Sequence, residues 1–386
     1  MRLGDLCDIE IGKTPSRAES QYWKGGTFPW LSIADMNQGR YLRETKECVT
    51  ALGAKNARMK LVKPGTLLLS YKLSIGKVGV AQVPLYTNEA IAALSNLRNS
   101  VDSCFMYWAL RHVDLLEGAD RAAMGATLNK AKLSEIQFQI PPIAEQHRIA
   151  SVLDKADALL HKRREAIEKL NRLLQSMFLE MFGDPITNPM AFPVFKSGAL
   201  FLEKPRIGTT RPANGEGVIV VRVGEIGSYE IAYRKCSRVE LNMAETERYS
   251  LLSGDTVLAR AIGSKDQLGK SSYFGGAQET VCIDSHVMRL RPDPSKVDPA
   301  WFNFLISSPM GKKMLQAKGG PTAVQFNINT KQASDLDIPV PSLNAQRKFI
   351  EISSQVRRQL GIYSDAYWHL GLLFSSIQNR AFAGIL

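Results

Sequence analysis

The sequence predicts an α+β protein in which two β-rich domains are separated by two long antiparallel coiled-coil helices, with an internal pseudo-two-fold repeat. Three observations predict this class. Apolar residues recur between 149 and 181 at alternating steps of four and three, the spacing of a helix with one buried stripe. The same stripe recurs 200 residues later without insertion. Each helical segment also follows a short apolar strand and a proline.

The two stripes are predicted to form the seam of one helix pair. Each seam would be about 50 Å long at about 1.5 Å per residue, and neither contains a proline. The alternative is two unrelated amphipathic core helices, but chance seldom preserves a heptad phase over such a length. The first seam comprises Ile149, Leu153, Ala156, Leu160, Arg163, Ile167, Leu170, Leu174, Met177 and Met181. The second comprises Phe349, Ser353, Val356, Leu360, Tyr363, Tyr367, Leu370, Phe374, Ile377 and Ala381.

The chain connections favour antiparallel pairing of these helices. The second domain must leave the end of the first helix and return to the start of the second, and antiparallel pairing brings those two points together. It would also put the two domains at opposite ends of the helix pair. Arg163 and Ser353 interrupt the apolar seam, and such positions favour one register.

The domains repeat more loosely than the helices. Residues 328–346 follow the pattern of 128–146, whereas the offset falls to 189 between Gly65 and Gly254, so insertions lie in the domain loops. This pattern indicates one duplicated unit. Its joints and helices would have the same function in both copies, and its loops would have different functions. The predicted organisation is a first domain over 1–140, a long helix over 141–183, a second domain over 184–340 and a second long helix over 341–386. Strands are predicted over 6–11, 28–33 and 78–83, a turn and strand over 62–70, and a helix over 104–111, with counterparts of 30–35, 64–70 and 101–109 at 218–223, 253–260 and 297–305.

Composition limits the class of protein. The chain has 386 residues, 45% of them hydrophobic, so it can bury a core of two or three domains. No run approaches the roughly 18 apolar residues of a membrane span, and the start lacks an apolar signal-peptide core. Five scattered cysteines without a Cys-x-x-Cys pair indicate a reducing, cytoplasmic setting and no structural zinc site. The net charge of +12 suits a polyanionic partner.

Catalytic motifs are absent from the sequence. Gly263–Ser271 approaches a phosphate-binding loop, but Ser264 occupies the position that requires glycine, and Gly12-Lys13-Thr14 has Cys7 at the corresponding position. Gly-x-Gly-x-x-Gly, His-Glu-x-x-His and Gly-x-Ser-x-Gly are missing, as are the Asn-Pro-Pro-Tyr and Asn-Pro-Pro-Phe motifs of base methylation. The five separate histidines are interpreted as surface or packing residues. We therefore predict a non-enzymatic protein without catalytic or metal-binding residues.

Several motifs resemble those of one known family, the specificity subunits of type I restriction–modification enzymes (HsdS family). The most specific is Ile140–Ala150 (IPPIAEQHRIA), which is followed by a long helix. The second copy departs from it at Ser342 and Ala345, which leaves equal partner contact by both joints open. Weaker matches are Gly12–Pro15 (GKTP), Phe28–Asp35 (FPWLSIAD), Pro64–Leu68 (PGTLL) and Thr87–Ile91 (TNEAI).

The resemblance implies a function and a set of partners. It implies two target-recognition domains that read a bipartite double-stranded DNA target, one domain per half-site, and helices that dock two modification (methyltransferase) subunits. S-adenosylmethionine would belong to the modification subunits, and ATP and Mg to restriction subunits that translocate and cut DNA. This chain would then carry no cofactor of its own and contact no membrane.

Loop position and side-chain type give the candidate DNA contacts. Lysine and arginine would neutralise phosphates, while polar loop residues would read base edges. Two readings from other classes remain open: a coiled-coil adaptor that binds protein rather than DNA, and a nucleotide hydrolase. The candidates are Lys13, Thr14, Arg17, Tyr71, Lys72, Ser74 and Lys77 in the first domain, and Arg260, Ser264, Lys265 and Lys270 in the second.

Overall fold

The chain forms two compact units in a computed structural model, which describes residues 1–115, 120–122, 125–227, 231, 236–264, 267–321 and 326–384. Unit 1 comprises Met1–Arg164 and Asp365–Leu386, and unit 2 comprises Glu165–Ser364. Each long helix contributes residues to both units. The compact units therefore differ from the four segments expected from the sequence, and that division remains a prediction about function.

Unit 1 is built on a five-stranded and a three-stranded sheet. Its short helices are α1 (Leu3–Leu6), α2 (Ala51–Asn56), α3 (Ser103–His112) and α4 (Lys130–Glu135). Its strands are β1 (Asp8–Ile11), β2 (Phe28–Leu31), β3 (Tyr41–Leu42), β4 (Glu47–Val49), β5 (Leu67–Ser70), β6 (Val78–Ala81), β7 (Tyr86–Thr87), β8 (Ile91–Ser95), β9 (Asp120–Ala122) and β10 (Gly125–Thr127). The sheet orders are β1-β8-β5-β6-β3 and β4-β2-β7, and β9 and β10 form a separate hairpin. The strand predicted over 6–11 begins only at Asp8, because α1 precedes it and buries Leu3 and Leu6 completely.

Unit 2 repeats this arrangement on its own residues. The two long helices are α5 (Ile143–Phe182) and α10 (Leu343–Phe382), and the short helices of unit 2 are α6 (Met243–Tyr249), α7 (Pro299–Ser307), α8 (Pro309–Lys318) and α9 (Thr330–Ser334). Its strands are β11 (Val194–Lys196), β12 (Arg206–Ile207), β13 (Val218–Val221), β14 (Ser237–Val239), β15 (Thr256–Ala259), β16 (Ala261–Ile262), β17 (Ser271–Tyr273), β18 (Val281–Ile283), β19 (Val287–Leu290), β20 (Gly320–Pro321), β21 (Phe326–Asn327) and β22 (Asp337–Pro339). The sheet orders are β12-β19-β15-β17, β14-β13-β18, β16-β21-β20 and β11-β22.

The strand pairings confirm the internal repeat. In unit 1, β2 pairs antiparallel with β4 and parallel with β7, and in unit 2, β13 pairs antiparallel with β14 and parallel with β18. The central strands β5 and β15 each pair antiparallel with two neighbours. All four residues of each central strand are buried, as expected for strands that are covered on both faces.

Helix capping repeats in the same way. The side chain of Asp102 accepts the backbone N–H of Phe105 at the start of α3, and Asp298 accepts that of Trp301 at the start of α7. Each cap satisfies a backbone donor that has no partner inside the helix. The two units therefore start the corresponding helix with the same residue type.

The long helices run antiparallel, as the sequence predicted. In unit 1, the start of α5 shares a core with the end of α10, through Ile149, Leu153 and Ala381. In unit 2, the end of α5 shares a core with the start of α10, through Phe178 and Phe349. Among the described residues, no helix is long and apolar enough to cross a membrane.

Burial along the seam is uneven. The seam residues near the domains are the most deeply buried, including Leu174 and Ser353, whereas Leu160, Ile167, Leu170, Leu360, Leu370, Phe374, Ile377 and Val356 are half-buried. Tyr367 remains 38% exposed. A straight α-helix drifts about 20° per heptad from a strict seven-residue stripe, so a long seam turns partly towards solvent.

Candidate nucleic-acid interface

A close backbone contact at Gly12 precedes the first group of candidates in unit 1. The chain passes so close to β7 that a Cβ on Gly12 would lie 2.3 Å from the carbonyl oxygen of Thr87, and the N–H of Lys13 donates to that same oxygen at 2.8 Å. Gly208 makes the equivalent approach to Ile283, whose oxygen accepts from the N–H of Thr209 at 2.9 Å. This close approach is thus part of the repeated scaffold, while the residue that follows the glycine differs.

Arg17 carries a charge that is already compensated. Its guanidinium donates two hydrogen bonds to the carboxylate of Glu47, at 2.5 and 2.9 Å, and lies 3.8 Å from the ring centroid of Trp23. The hydrogen bond to Glu47 raises the pKa of Arg17, and the same bond lowers the pKa of Glu47. A phosphate would have to compete with this carboxylate.

Lys13 belongs to a basic cluster that sequence reasoning missed in part. Lys13, Arg58, Lys60 and Lys130 line one open cavity of about 580 Å³. Lys60 forms an ion pair with Glu10 at 2.5 Å. Neighbouring Thr14 donates its hydroxyl to the Glu89 carboxylate. Arg58 and Lys130 are distant from Lys13 in sequence, so only the fold brings them to it.

Tyr71 and Arg260 occupy equivalent scaffold positions. The N–H groups of both residues bond a carbonyl oxygen at 3.0 Å, on Ala90 and His286 respectively. The Tyr71 hydroxyl donates to the oxygen of Glu89 at 2.8 Å, and the Arg260 guanidinium donates to the oxygen of Ser285 at 2.9 Å.

This environment gives both residues a packing role. Tyr71 is only 2% exposed, and burial raises its pKa to about 12. Arg260 also donates to the side chain of Asn327 at 2.8 Å, and desolvation lowers its pKa. Their positions therefore lend no support to the prediction that these two side chains contact DNA.

The loop after Tyr71 is exposed. Leu73 has a positive φ of 64° and is 58% exposed, and Ser74 beside it is also exposed. Lys72 is half-buried, with its ammonium 5.4 Å from the Tyr71 ring centroid. A strained loop that presents an apolar and a hydroxyl side chain is suited to contact with a partner molecule.

Lys77 and Lys270 are equivalent residues in the two units. The carbonyl oxygen of Lys77 accepts the N–H of Ser70 at 2.9 Å, and that of Lys270 accepts the N–H of Ala259 at 2.8 Å. The Lys77 ammonium donates to the oxygen of Ile33 at 3.2 Å. In unit 2, the Lys270 ammonium donates to the oxygen of Val223 at 3.4 Å. Among the residues that the structure describes, both ammonium groups thus bond neutral oxygens and no carboxylate.

Two candidates of unit 2 remain, Ser264 and Lys265. Ser264 is exposed at the turn between β16 and β17, and Lys265 lies outside the described residues. Lys312 on α8 was not expected from the sequence; its pKa is lowered by burial and by the neighbouring charge of Lys270. Like-charged lysines held close together are typical of a surface that meets a polyanion.

The joints between domains and helices are built around one buried amide in each unit. The Gln146 side chain accepts the N–H of Asp102 at 2.8 Å and donates to the oxygen of Pro141 at 2.8 Å. Gln346 makes the same pair of bonds, to Asp298 and Pro341, both at 2.7 Å. Both glutamines are completely buried. The amide therefore ties the start of each long helix to its domain.

The helices also expose apolar side chains beside the seam. In unit 1 these include Leu159 of α5 and Leu373 of α10, and in unit 2 Leu173 of α5 and Ile352 of α10. Each of these side chains is close to half exposed. The helical period places the two residues of each pair, one on α5 and one on α10, on the same side of the helix pair. Exposed apolar side chains grouped in this way mark a protein-contact surface. The residues that the structure describes contain no cluster of metal ligands.

The amino-acid sequence is similar to those of known proteins. Residues 1–169 match the family model of the type I restriction modification DNA specificity domain. The specificity subunit of type I restriction enzyme MjaIX from Methanocaldococcus jannaschii is 27% identical over 186 residues, which are 47% of this chain and 42% of that protein. The EcoR124I/EcoR124II specificity subunit from Escherichia coli is 28% identical over 46% of this chain and 45% of its own length. The chain thus spans less than half the length of these two relatives.

Two further similarities cover nearly the whole chain. The MjaVIII specificity subunit from M. jannaschii is 20% identical over 91% of this chain and 84% of that protein. The crystal structure of the type I restriction–modification S subunit from M. genitalium covers 99% of this chain and 95% of its own, with a TM-score of 0.58 and 15% identity. At this identity the structural likeness concerns the fold.

The fold, two repeated α+β units that share two long helices, is like that of the S subunit of a type I restriction–modification system. Residues 1–169 match the type I restriction modification DNA specificity domain, and the relatives of this chain named above are specificity subunits of type I restriction enzymes. The resemblance stated from the sequence is thereby confirmed.

Proposed function

We propose that this chain is the non-catalytic DNA-recognition subunit of a type I restriction–modification complex. The domain within residues 1–140 would read one half of a bipartite double-stranded target, and the domain within 184–340 would read the other. The observation that carries this proposal is a scaffold repeated in both units that holds different side chains at equivalent positions, such as Lys13 and Thr209.

The division between shared and divergent residues supports two kinds of DNA contact. Lys77 and Lys270 are the same residue at the same position, so we propose that they neutralise a phosphate in each half-site. Lys13, Thr14, Lys72, Ser74 and Ser264 lie in loops that differ between the units, and we propose these residues, together with Lys265, for contacts that depend on sequence. Arg17 would contribute only if Glu47 were displaced.

The helices would dock two modification subunits. The exposed Leu159 and Leu373 of unit 1, and Ile352 and Leu173 of unit 2, support this proposal because they offer one apolar contact surface in each unit. S-adenosylmethionine would be bound by the modification subunits, and ATP and Mg by restriction subunits, so this chain would supply specificity alone.

Domain exchange tests the proposal. Residues 1–140 are replaced by those of another family member, and the methylated sequence is determined after expression with the modification subunits. We expect one half-site to change while the other half-site is retained. A target that is unchanged, or changed in both halves, would refute the assignment of one domain to each half-site.

The exposed helix residues also favour a second candidate, an adaptor that binds only protein. Filter binding of the chain with its modification subunits to a random duplex at low salt separates the two candidates. The DNA-recognition function predicts retention that weakens steeply with salt. An adaptor predicts no retention at any salt concentration.

A further inference from the structure

The turn between β7 and β8 in unit 1 is repeated between β18 and β19 in unit 2. The side chain of Asn88 accepts the N–H of Ala90 at 3.1 Å, and the side chain of Asp284 accepts the N–H of His286 at 2.9 Å. Asparagine and aspartate fix turns in this way, by bonding the backbone two residues further on. The residue between the two bonded positions is therefore held in the same place in each unit.

That residue is Glu89 in unit 1 and Ser285 in unit 2. Glu89 is exposed and Ser285 is half-buried. The backbone oxygen of Glu89 accepts the hydroxyl of Tyr71 at 2.8 Å, and that of Ser285 accepts the guanidinium of Arg260 at 2.9 Å. The scaffold thus fixes the backbone of this residue in both units, while its side chain differs in size and in charge.

Glu89 lies among the candidate DNA contacts of unit 1. The hydroxyl of Thr14 donates to one oxygen of the Glu89 carboxylate. After the hydrogen bond from Glu47, the negative charge of Glu89 also helps to raise the pKa of Arg17. Among the residues that the structure describes, the second oxygen of Glu89 accepts no hydrogen bond. That oxygen is therefore available to a donor on a ligand.

A carboxylate at this place has a chemical preference that a lysine lacks. It repels phosphate, but it attracts a base edge that offers hydrogen-bond donors. In the major groove, guanine presents acceptors, thymine presents an acceptor and a methyl group, and adenine presents an acceptor beside its amino group. Cytosine presents its N4 amino group alone. Cytosine is thus the base that a carboxylate fits without repulsion.

We propose that Glu89 recognises a cytosine in the half-site bound by unit 1, by accepting a hydrogen bond from its N4 amino group. This inference rests on the proposed DNA-recognition function. Thr14 orients the carboxylate through one oxygen, and the second oxygen receives the amino group. The hydroxyl of Ser285 both donates and accepts, so unit 2 does not impose the same choice of base at the equivalent position.

The target of the wild-type chain provides the first test. The methylated sequence is determined with the modification subunits, and exchange of residues 1–140 identifies the half-site that belongs to unit 1. We expect a C·G base pair in that half-site whose replacement by T·A weakens binding by about tenfold or more. A half-site of unit 1 without a C·G pair would overturn the inference and leave the proposed function intact. If the complex methylates no defined bipartite sequence, the proposed function fails and this inference fails with it.

Glu89→Gln provides the second test. The glutamine amide accepts from cytosine and also donates to thymine, so the preference for C·G over T·A should fall to less than about threefold at one base pair. Binding of the assembled complex to the two duplexes measures this preference. Glu44→Gln removes the charge of another exposed carboxylate of unit 1 and should retain the full preference.

The pair of variants separates base recognition from charge. Both remove one negative charge, so an equal gain in affinity for all sequences reports charge alone and overturns the inference. An unchanged preference at every C·G pair in Glu89→Gln, or the same loss of preference in Glu44→Gln, also overturns it. Thermal unfolding compares the folds of the variants. If Glu89→Gln is misfolded, the base replacements in the wild-type target decide.

Discussion

Units 1 and 2 join their domain to the long helices with different chemistry. In unit 1, Asp154 of α5 accepts the indole N–H of Trp108 at 2.7 Å and forms an ion pair with Arg40 at 2.5 Å. In unit 2, the ring of Phe178 packs against Phe304 and Phe349, at centroid distances of 5.3 and 5.5 Å. Unit 1 also packs the ring of Trp108 against Phe374 of α10 at a centroid distance of 5.6 Å, so it adds a polar contact to an aromatic junction, whereas unit 2 has the larger aromatic cluster.

The comparison teaches which parts of a duplicated unit tolerate change. The side chains at the junction have diverged, yet the buried amides of Gln146 and Gln346 make the same two backbone bonds. Buried backbone donors and acceptors need partners, whereas apolar volume can be filled in several ways. The backbone contacts therefore keep the two units alike while the packing around them differs.

The largest effect is expected from the aromatic junction of unit 2. Phe349 is completely buried among three other rings, so Phe349→Ala should lower the free energy of unfolding by about 3–5 kcal/mol. Urea denaturation measures it, with Lys348→Ala on the exposed side of the helix as control. Ile149→Ala should cost less in unit 1, because the side chain is smaller. A larger loss from Ile149→Ala would contradict the contrast between the junctions.

The shared amides should behave alike. Gln146→Ala and Gln346→Ala each leave the N–H of an aspartate and the carbonyl of a proline without this partner, so each should cost about 2–3 kcal/mol in urea denaturation. Gln146→Ala also frees the carbonyl of Ser100, an exposed residue, where water can replace the amide. The two losses should agree within about 0.5 kcal/mol. If only one of the two variants lost stability, the repeated hydrogen bonds would contribute unequally to the free energy of unfolding.

The ion pair of Asp154 with Arg40 in unit 1 should stabilise the protein in a way that has no counterpart in unit 2. Asp154→Ala leaves the largely buried Arg40 without its carboxylate, and partial exposure of Asp154 limits the expected cost to about 1–2 kcal/mol. Ser354→Ala, at the corresponding exposed position of α10, should change stability by less than about 0.5 kcal/mol. Equal losses from the two variants would argue against this asymmetry.

The smallest effect concerns Arg17. Its hydrogen bonds lower the pKa of Glu47, so the pair's contribution is present above the ordinary glutamate pKa of about 4.3 and is lost as pH falls through the lowered value. Glu47→Gln removes the carboxylate at neutral pH. DNA binding by the assembled complex should then depend more steeply on salt, by up to about 0.9 in log–log slope. An unchanged slope would show that Arg17 does not reach a phosphate even when released.

Sequence periodicity predicted the repeat and the helices, because heptad spacing is a local signal that survives divergence, and the chain connections predicted their antiparallel pairing. It could not separate Tyr71, which is buried, from Ser74, which is exposed, since both lie in one polar and basic stretch. Ion pairing between Arg17 and Glu47 depends on strands brought together by the fold. The equivalence of Lys77 and Lys270 was hidden by loop length, because they follow the paired residues Ser70 and Ala259 by different numbers of residues.

The equivalence of Lys77 and Lys270 provides the most direct test of the central claim. The claim is that the duplicated scaffold binds a phosphate of each half-site in the same way. The measurement is the salt dependence of specific DNA binding by the complex with its modification subunits, for Lys77→Met, Lys270→Met and the buried-site control Tyr71→Phe. We predict that each lysine variant lowers the log–log slope by about 0.9, equally in the two units, and that Tyr71→Phe leaves it unchanged. A slope that falls for only one lysine, or for neither, would contradict the account.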